Sequence, residues 1–80
     1  MASASNYQLH ELLGRRVKTT RSFEFLPAGS TGEVVDISGR SGSAPGLVVQ
    51  WDKENFTDRF GRDREEDETR WLEVIDGESA

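Results

Sequence analysis

Apolar and polar positions alternate along this chain in short stretches, and helical spacing appears only near its start. In Leu47-Val-Val-Gln-Trp51, Leu47, Val49 and Trp51 share a face, which predicts the central strand of the core. Arg15-Arg-Val-Lys-Thr-Thr-Arg21 carries β-branched Val17, Thr19 and Thr20 and predicts a strand with Val17 and Thr19 together and Arg16 and Lys18 outward. Glu33-Val-Val-Asp-Ile37 alternates so that Val35 and Ile37 fall on one face and Val34 on the other. Phe56-Thr-Asp-Arg-Phe60 predicts a short polar strand with both phenylalanines on one side. Trp71-Leu-Glu-Val-Ile75 predicts a closing strand with Leu72 and Val74 in the core and Trp71 opposite. Near the start, Ser5 and Gln8 have capping-box spacing, Tyr7, Leu9, Leu12 and Leu13 are apolar, and Gly14 suits a stop, so a short helical turn is expected over 6–13.

The connections carry turn chemistry. Ser22 to Thr31 is a long loop with two aromatics, and it ends in Leu26-Pro-Ala-Gly-Ser-Thr-Gly-Glu33. There Pro27 fixes its φ, while Gly29 and Gly32 permit positive φ or close backbone approach. Ser38 to Pro45 is a Gly/Ser-rich hairpin connection and Asp52 to Asn55 a turn. Gly61 to Arg70 is a charged loop with a single helical turn expected around Asp67 to Arg70. Five short strands without a long helix predict one all-β domain, a small antiparallel barrel over 12–76, with a helical turn over 1–11 and a tail over 77–80.

Eighty residues with no cysteine allow a modest core, no disulfide and no thiolate metal site. That composition, with no apolar span and no basic-then-apolar leader, gives the expectation of a cytoplasmic chain without a membrane partner. Ten Lys and Arg against fifteen Asp and Glu give a net charge of −5. The first forty residues carry +1 and the last forty −6.

The residues exclude most site chemistries. His10, the single histidine, has Glu11 beside it in sequence, and adjacent helical residues do not face each other, so no acid-base pair is expected. The serines lack a second histidine or a strained elbow. Glu65-Glu-Asp-Glu68 is contiguous, whereas a calcium loop needs alternating acids around a glycine. Gly39-Arg-Ser-Gly-Ser43 lacks the Lys-Ser/Thr ending of a phosphate cradle. No cofactor, metal or enzymatic activity is expected.

The order of basic strand, aromatic loop, Pro27-x-Gly29-x-x-Gly32-x-Val34 turn, Val49-x-Trp51-Asp52 strand and Trp-containing last strand resembles the SH3-like barrels over roughly Leu12 to Ile75. The Gly29-x-x-Gly32-x-Val34-x-x-Ile37 run resembles the KOW motif of ribosomal and transcription-elongation proteins. With Gly14-x-x-Val17 added, the fuller pattern is similar to small bacterial and phage barrel proteins. The first resemblance implies a five-stranded SH3-like barrel; the second implies RNA or protein contact through the loops flanking the glycine turn.

The acidic balance favours a protein partner. Phe23, Phe25, Phe56 and Phe60 are the expected contact patch, with Arg59, Arg62 and Arg64 as its polar rim. The alternative is RNA or DNA contact through Arg15, Arg16, Lys18 and Arg21, with Arg40 beside them and Phe23 or Phe25 stacking a base.

Overall fold

The computed structural model describes residues 2–39, 45–63 and 65–76; Arg40, Arg64, most of the Ser38–Pro45 connection and the tail lie outside them. The strands are β1 (Ala2–Ser3), β2 (Arg16–Thr19), β3 (Thr31–Ser38), β4 (Gly46–Trp51), β5 (Thr57–Gly61) and β6 (Leu72–Val74). They form one antiparallel sheet in the order β1-β6-β2-β3-β4-β5, with β1 and β5 at its ends. The fold is all-β, and its helical segments among the described residues are three 3-10 turns at Ala4–Asn6, Leu9–Leu12 and Glu68–Trp71.

Period-two alternation sets the core. Val17 and Thr19 point inward from β2, Leu47, Val49 and Trp51 from β4, and Leu72 and Val74 from β6, all buried, while Arg16 and Lys18 face outward. Ala4, Leu12, Leu26, Val34 and Phe60 complete the cluster. The Trp51 indole Nε1 donates to Asp58 Oδ2 at 2.8 Å, satisfying the polar end of a buried ring.

Three expectations are corrected. The strand count is six, because Ala2 and Ser3 pair with Val74 and Glu73 and so join the sheet. In β3, Val34 opposes Val49 and Asp36 opposes Val48, so Val35 is the extra residue of a bulge. The bulge reverses the alternation: Val34 is in the core, Ile37 returns to the same face opposite Leu47, and Val35 is exposed. The stretch over 6–13 is not one helix, because Tyr7 is extended (φ −112°, ψ 155°) and separates two 3-10 turns. Its capping box is Gln8 with Glu11 (Gln8 N–H to Glu11 Oε1, 2.9 Å), while Ser5 bonds to Ser3. Gly14 does end the segment, at φ +83°.

The N-terminal segment is fastened by Arg62. Its Nη1 donates to Tyr7 O at 2.7 Å, and its Nη2 donates to Ala4 O at 3.1 Å and Thr69 Oγ1 at 3.0 Å. Its Nε lies 3.3 Å from Asp67 Oδ2. Asp67 in turn caps the third 3-10 turn by accepting from Thr69 N at 3.1 Å.

Candidate functional site

Thr19 organises the long loop between β2 and β3. Its buried hydroxyl accepts from Gly29 N at 3.1 Å and Ser30 N at 3.2 Å, and its own N–H donates to Ser30 O at 2.9 Å. Gly29, at φ +89°, is the residue that lets the chain turn back to this hub. Farther out, Phe23 N donates to Leu26 O at 2.7 Å and Leu26 N to Phe23 O at 3.1 Å, a tight two-residue turn with Glu24 and Phe25 at its tip. Leu26 is buried at the base, and Phe25 is 75% exposed.

Phe23 packs edge-on against Phe60 (centroids 5.9 Å apart) and Trp71 (5.7 Å), and Phe60 packs edge-on against Trp51 (6.1 Å). Phe23, Phe60 and Trp71, with Asp58, Arg59 and Glu68, line a cleft of about 250 Å³. Glu68 Oε1 accepts from Gly61 N at 2.9 Å. A second cleft, of about 240 Å³, is lined by Leu26 to Thr31 together with Trp51, Lys53 and Glu54.

The four phenylalanines do not make one exposed patch. Phe60 is 4% exposed, because it opposes Leu47 in the β4–β5 ladder and so faces the core. Phe23 is half-buried against it, Phe56 precedes β5 with 37% of its surface exposed, and Phe25 is the most exposed of the four. Arg59 alternates with Phe60 along β5, its Nε donates to Ser38 Oγ at 2.8 Å, and it contributes to the cleft lining. Arg62 is an internal fastener rather than a rim residue, and Arg64 lies outside the described residues. Trp71, Asp58 and Glu68 join the cleft although none of them was expected at a contact site; the signal for Asp58 was its position two residues from Phe60, on the same face.

The basic side chains on and beside β2 are engaged within the molecule. Arg15 Nε bonds Asp76 Oδ1 at 2.8 Å, and Lys18 Nζ lies 3.9 Å from Glu73 Oε1. Arg21 lies over the Trp71 and Phe23 rings, with Cζ 4.7 Å and 5.0 Å from their centroids. Arg16 grips Asp52 with both terminal nitrogens, Nη1 to Oδ1 at 2.9 Å and Nη2 to Oδ2. His10 is exposed, and among the described residues no group of three or more His, Asp and Glu is placed to hold a metal ion.

The Arg16 bond, reinforced by the Thr31 hydroxyl at 2.6 Å, lowers the Asp52 pKa to about 2, and the same bond raises that of Arg16. Burial pushes Asp76 up, but bonds from Arg15 Nε and the Arg16 N–H (3.1 Å) overcome it and hold the carboxyl below its usual range. Both carboxylates titrate lower folded than unfolded, so their stabilisation is complete above the ordinary Asp value near ~3.9 and is lost as pH falls. The thermal midpoint is therefore expected to be flat above about pH 5 and to drop between about pH 4 and 2. Asp52→Asn should flatten that acid limb in a calorimetric pH series; an unchanged limb would refute the assignment.

Gly14 and Gly29 sit at positive φ, Gly32 packs under Trp51, Val17, Val34, Val49 and Trp51 are core, and Asp52 ties β2 to the end of β4. These positions of the turn and strand pattern thus have architectural tasks. No protein-family model, curated protein or solved structure matches this chain. Among the described residues no helix is long and apolar enough to cross a membrane.

Proposed function

We propose that this chain is an SH3-like barrel acting as a small non-enzymatic interaction module, which binds a protein partner through the Phe25 turn and the adjoining aromatic cleft. The reading rests on Phe25. A phenylalanine left 75% exposed at the tip of a turn fixed by two backbone bonds, a buried Leu26 and the Thr19 hub is an anchor held ready for contact. Rigid presentation lowers the ordering cost of association, and aromatic anchors carry a disproportionate share of interface energy. The succession of strands, loop and turn supports the barrel assignment. The pairing of Arg15, Arg16 and Lys18 with Asp76, Asp52 and Glu73 favours a protein partner over a phosphate backbone.

Phe25→Ser should leave the unfolding midpoint within about 0.5 kcal/mol of the parent, since the ring packs on little. In affinity capture from native lysate treated with nuclease, it should abolish partner recovery, whereas Phe56→Ser should retain it. Recovery that survives Phe25→Ser, or that nuclease removes, would overturn the proposal.

A further inference from the structure

The cleft beside the Phe25 turn has a chemistry of its own. Its lining joins three rings, Phe23, Phe60 and Trp71, to the carboxylates of Asp58 and Glu68 and to Arg59. Each carboxylate is fixed through one oxygen, Asp58 Oδ2 by the Trp51 indole and Glu68 Oε1 by the Gly61 amide. Each therefore has a second oxygen to offer. Neither forms an ion pair among the described residues, although Arg59 also lines the cleft and Arg21 and Arg70 lie over Trp71. The rings accept guanidinium groups in this same molecule: Arg21 over Phe23 and Trp71, and Arg70 over Trp71 at 5.2 Å. A planar cation stacked on an aromatic face with a carboxylate at its edge gains both the ring quadrupole and a charge-assisted hydrogen bond.

We infer that this cleft receives an arginine side chain of the partner, stacked against the Phe23–Phe60–Trp71 cluster and paired with Asp58 and Glu68. The inference rests on the interaction-module reading and adds the chemistry of the segment recognised. Arg21, together with Arg59 in the lining and Arg70 over Trp71, sets the competing term. Its guanidinium covers part of the same aromatic surface and repels a second cation, so it tunes affinity downward.

The test is an NMR titration of the full chain at low salt with the capped tripeptide acetyl-Ala-Arg-Ala-amide and its citrulline counterpart, which keeps the shape and loses the charge. The arginine peptide should give saturable shifts at the Trp71 indole and the Phe60 and Glu68 amides, at least about tenfold tighter than citrulline. The Asp58→Asn/Glu68→Gln pair keeps an oxygen acceptor for Trp51 and Gly61, so the fold is retained, and it should weaken the arginine response about tenfold. Arg21→Gln should tighten it about threefold. Equal response to both peptides, shifts centred on another acidic surface, or no saturable shift would overturn the inference. Phe25→Ser separates the two readings. It should leave the tripeptide response within about twofold while abolishing partner capture, because a three-residue probe seated in the cleft does not need that anchor. Capture that persists in Asp58→Asn/Glu68→Gln and still depends on Phe25 would discard the arginine site and keep the module. Capture indifferent to Phe25 would discard the module whatever the titration gives.

Discussion

Gly32→Ala should destabilise the domain by about 1–3 kcal/mol, the range for forcing one extra carbon into a close-packed site. Gly32 lies opposite Trp51 in the β3–β4 ladder. A Cβ there would meet Gln50 O at 2.6 Å, Trp51 Cε3 at 2.9 Å and Val49 Cγ1 at 2.9 Å. The first of these is backbone inside the sheet and cannot swing aside. The cause is closeness rather than dihedral angle, since Gly32 is not among the positive-φ residues. Gly29 is the reverse case, with φ +89° and open space around its Cβ position. Urea midpoints check the claim: a Gly32→Ala midpoint equivalent to less than about 0.5 kcal/mol would mean that β4 slides to make room.

Arg62→Met should cost about 2–3 kcal/mol, although part of the side chain is solvated. The substitution keeps most of the aliphatic stem and removes the donors to Ala4 O, Tyr7 O and Thr69 Oγ1. It also leaves Asp67 without the cation 3.3 Å away. Ala4 O retains the Tyr7 N–H at 3.1 Å, so Tyr7 O is the carbonyl that loses most. The loss should be local before it is global. Amide exchange at Ala4 to Tyr7 should accelerate by more than the average over β3 and β4, and uniform acceleration would show that Arg62 supports the whole core instead.

How much of this was legible follows from the range of each signal. Val17, Thr19, Leu47, Val49, Trp51, Leu72 and Val74 were readable as core because period-two alternation is local. The single turn expected around Asp67 to Arg70 is present, and Asp67 caps it. The bulge at Val35 was not readable, since one inserted residue changes the faces of its neighbours without changing composition. Strand β1 is two residues, Ala2 and Ser3, with no pattern to read, and it is held by a guanidinium 58 positions from Ala4. At the candidate site, the aromatics were visible as aromatics, but their exposure depends on strand boundaries. Phe60 falls inside β5 and is buried, whereas Phe56 falls one residue before it and is not. Asp58 and Glu68 were hidden among many similar charges and stand out only once the fold sets them beside three rings.

The pairing of β1 with β6 also fixes how the domain responds to tension. Ala2 opposes Val74 and Ser3 opposes Glu73 in antiparallel register, so the entering and leaving chains lie side by side at one end of a two-pair ladder. A pull on both would load these pairs one after the other, as in opening a zipper, rather than together in shear. The next resistance is the Arg62 fork on Ala4 and Tyr7. Tethered at both ends, the domain would give up its first strand at low force, baring the outer edge of β6 while Val17, Val34, Leu47 and Val49 stay packed.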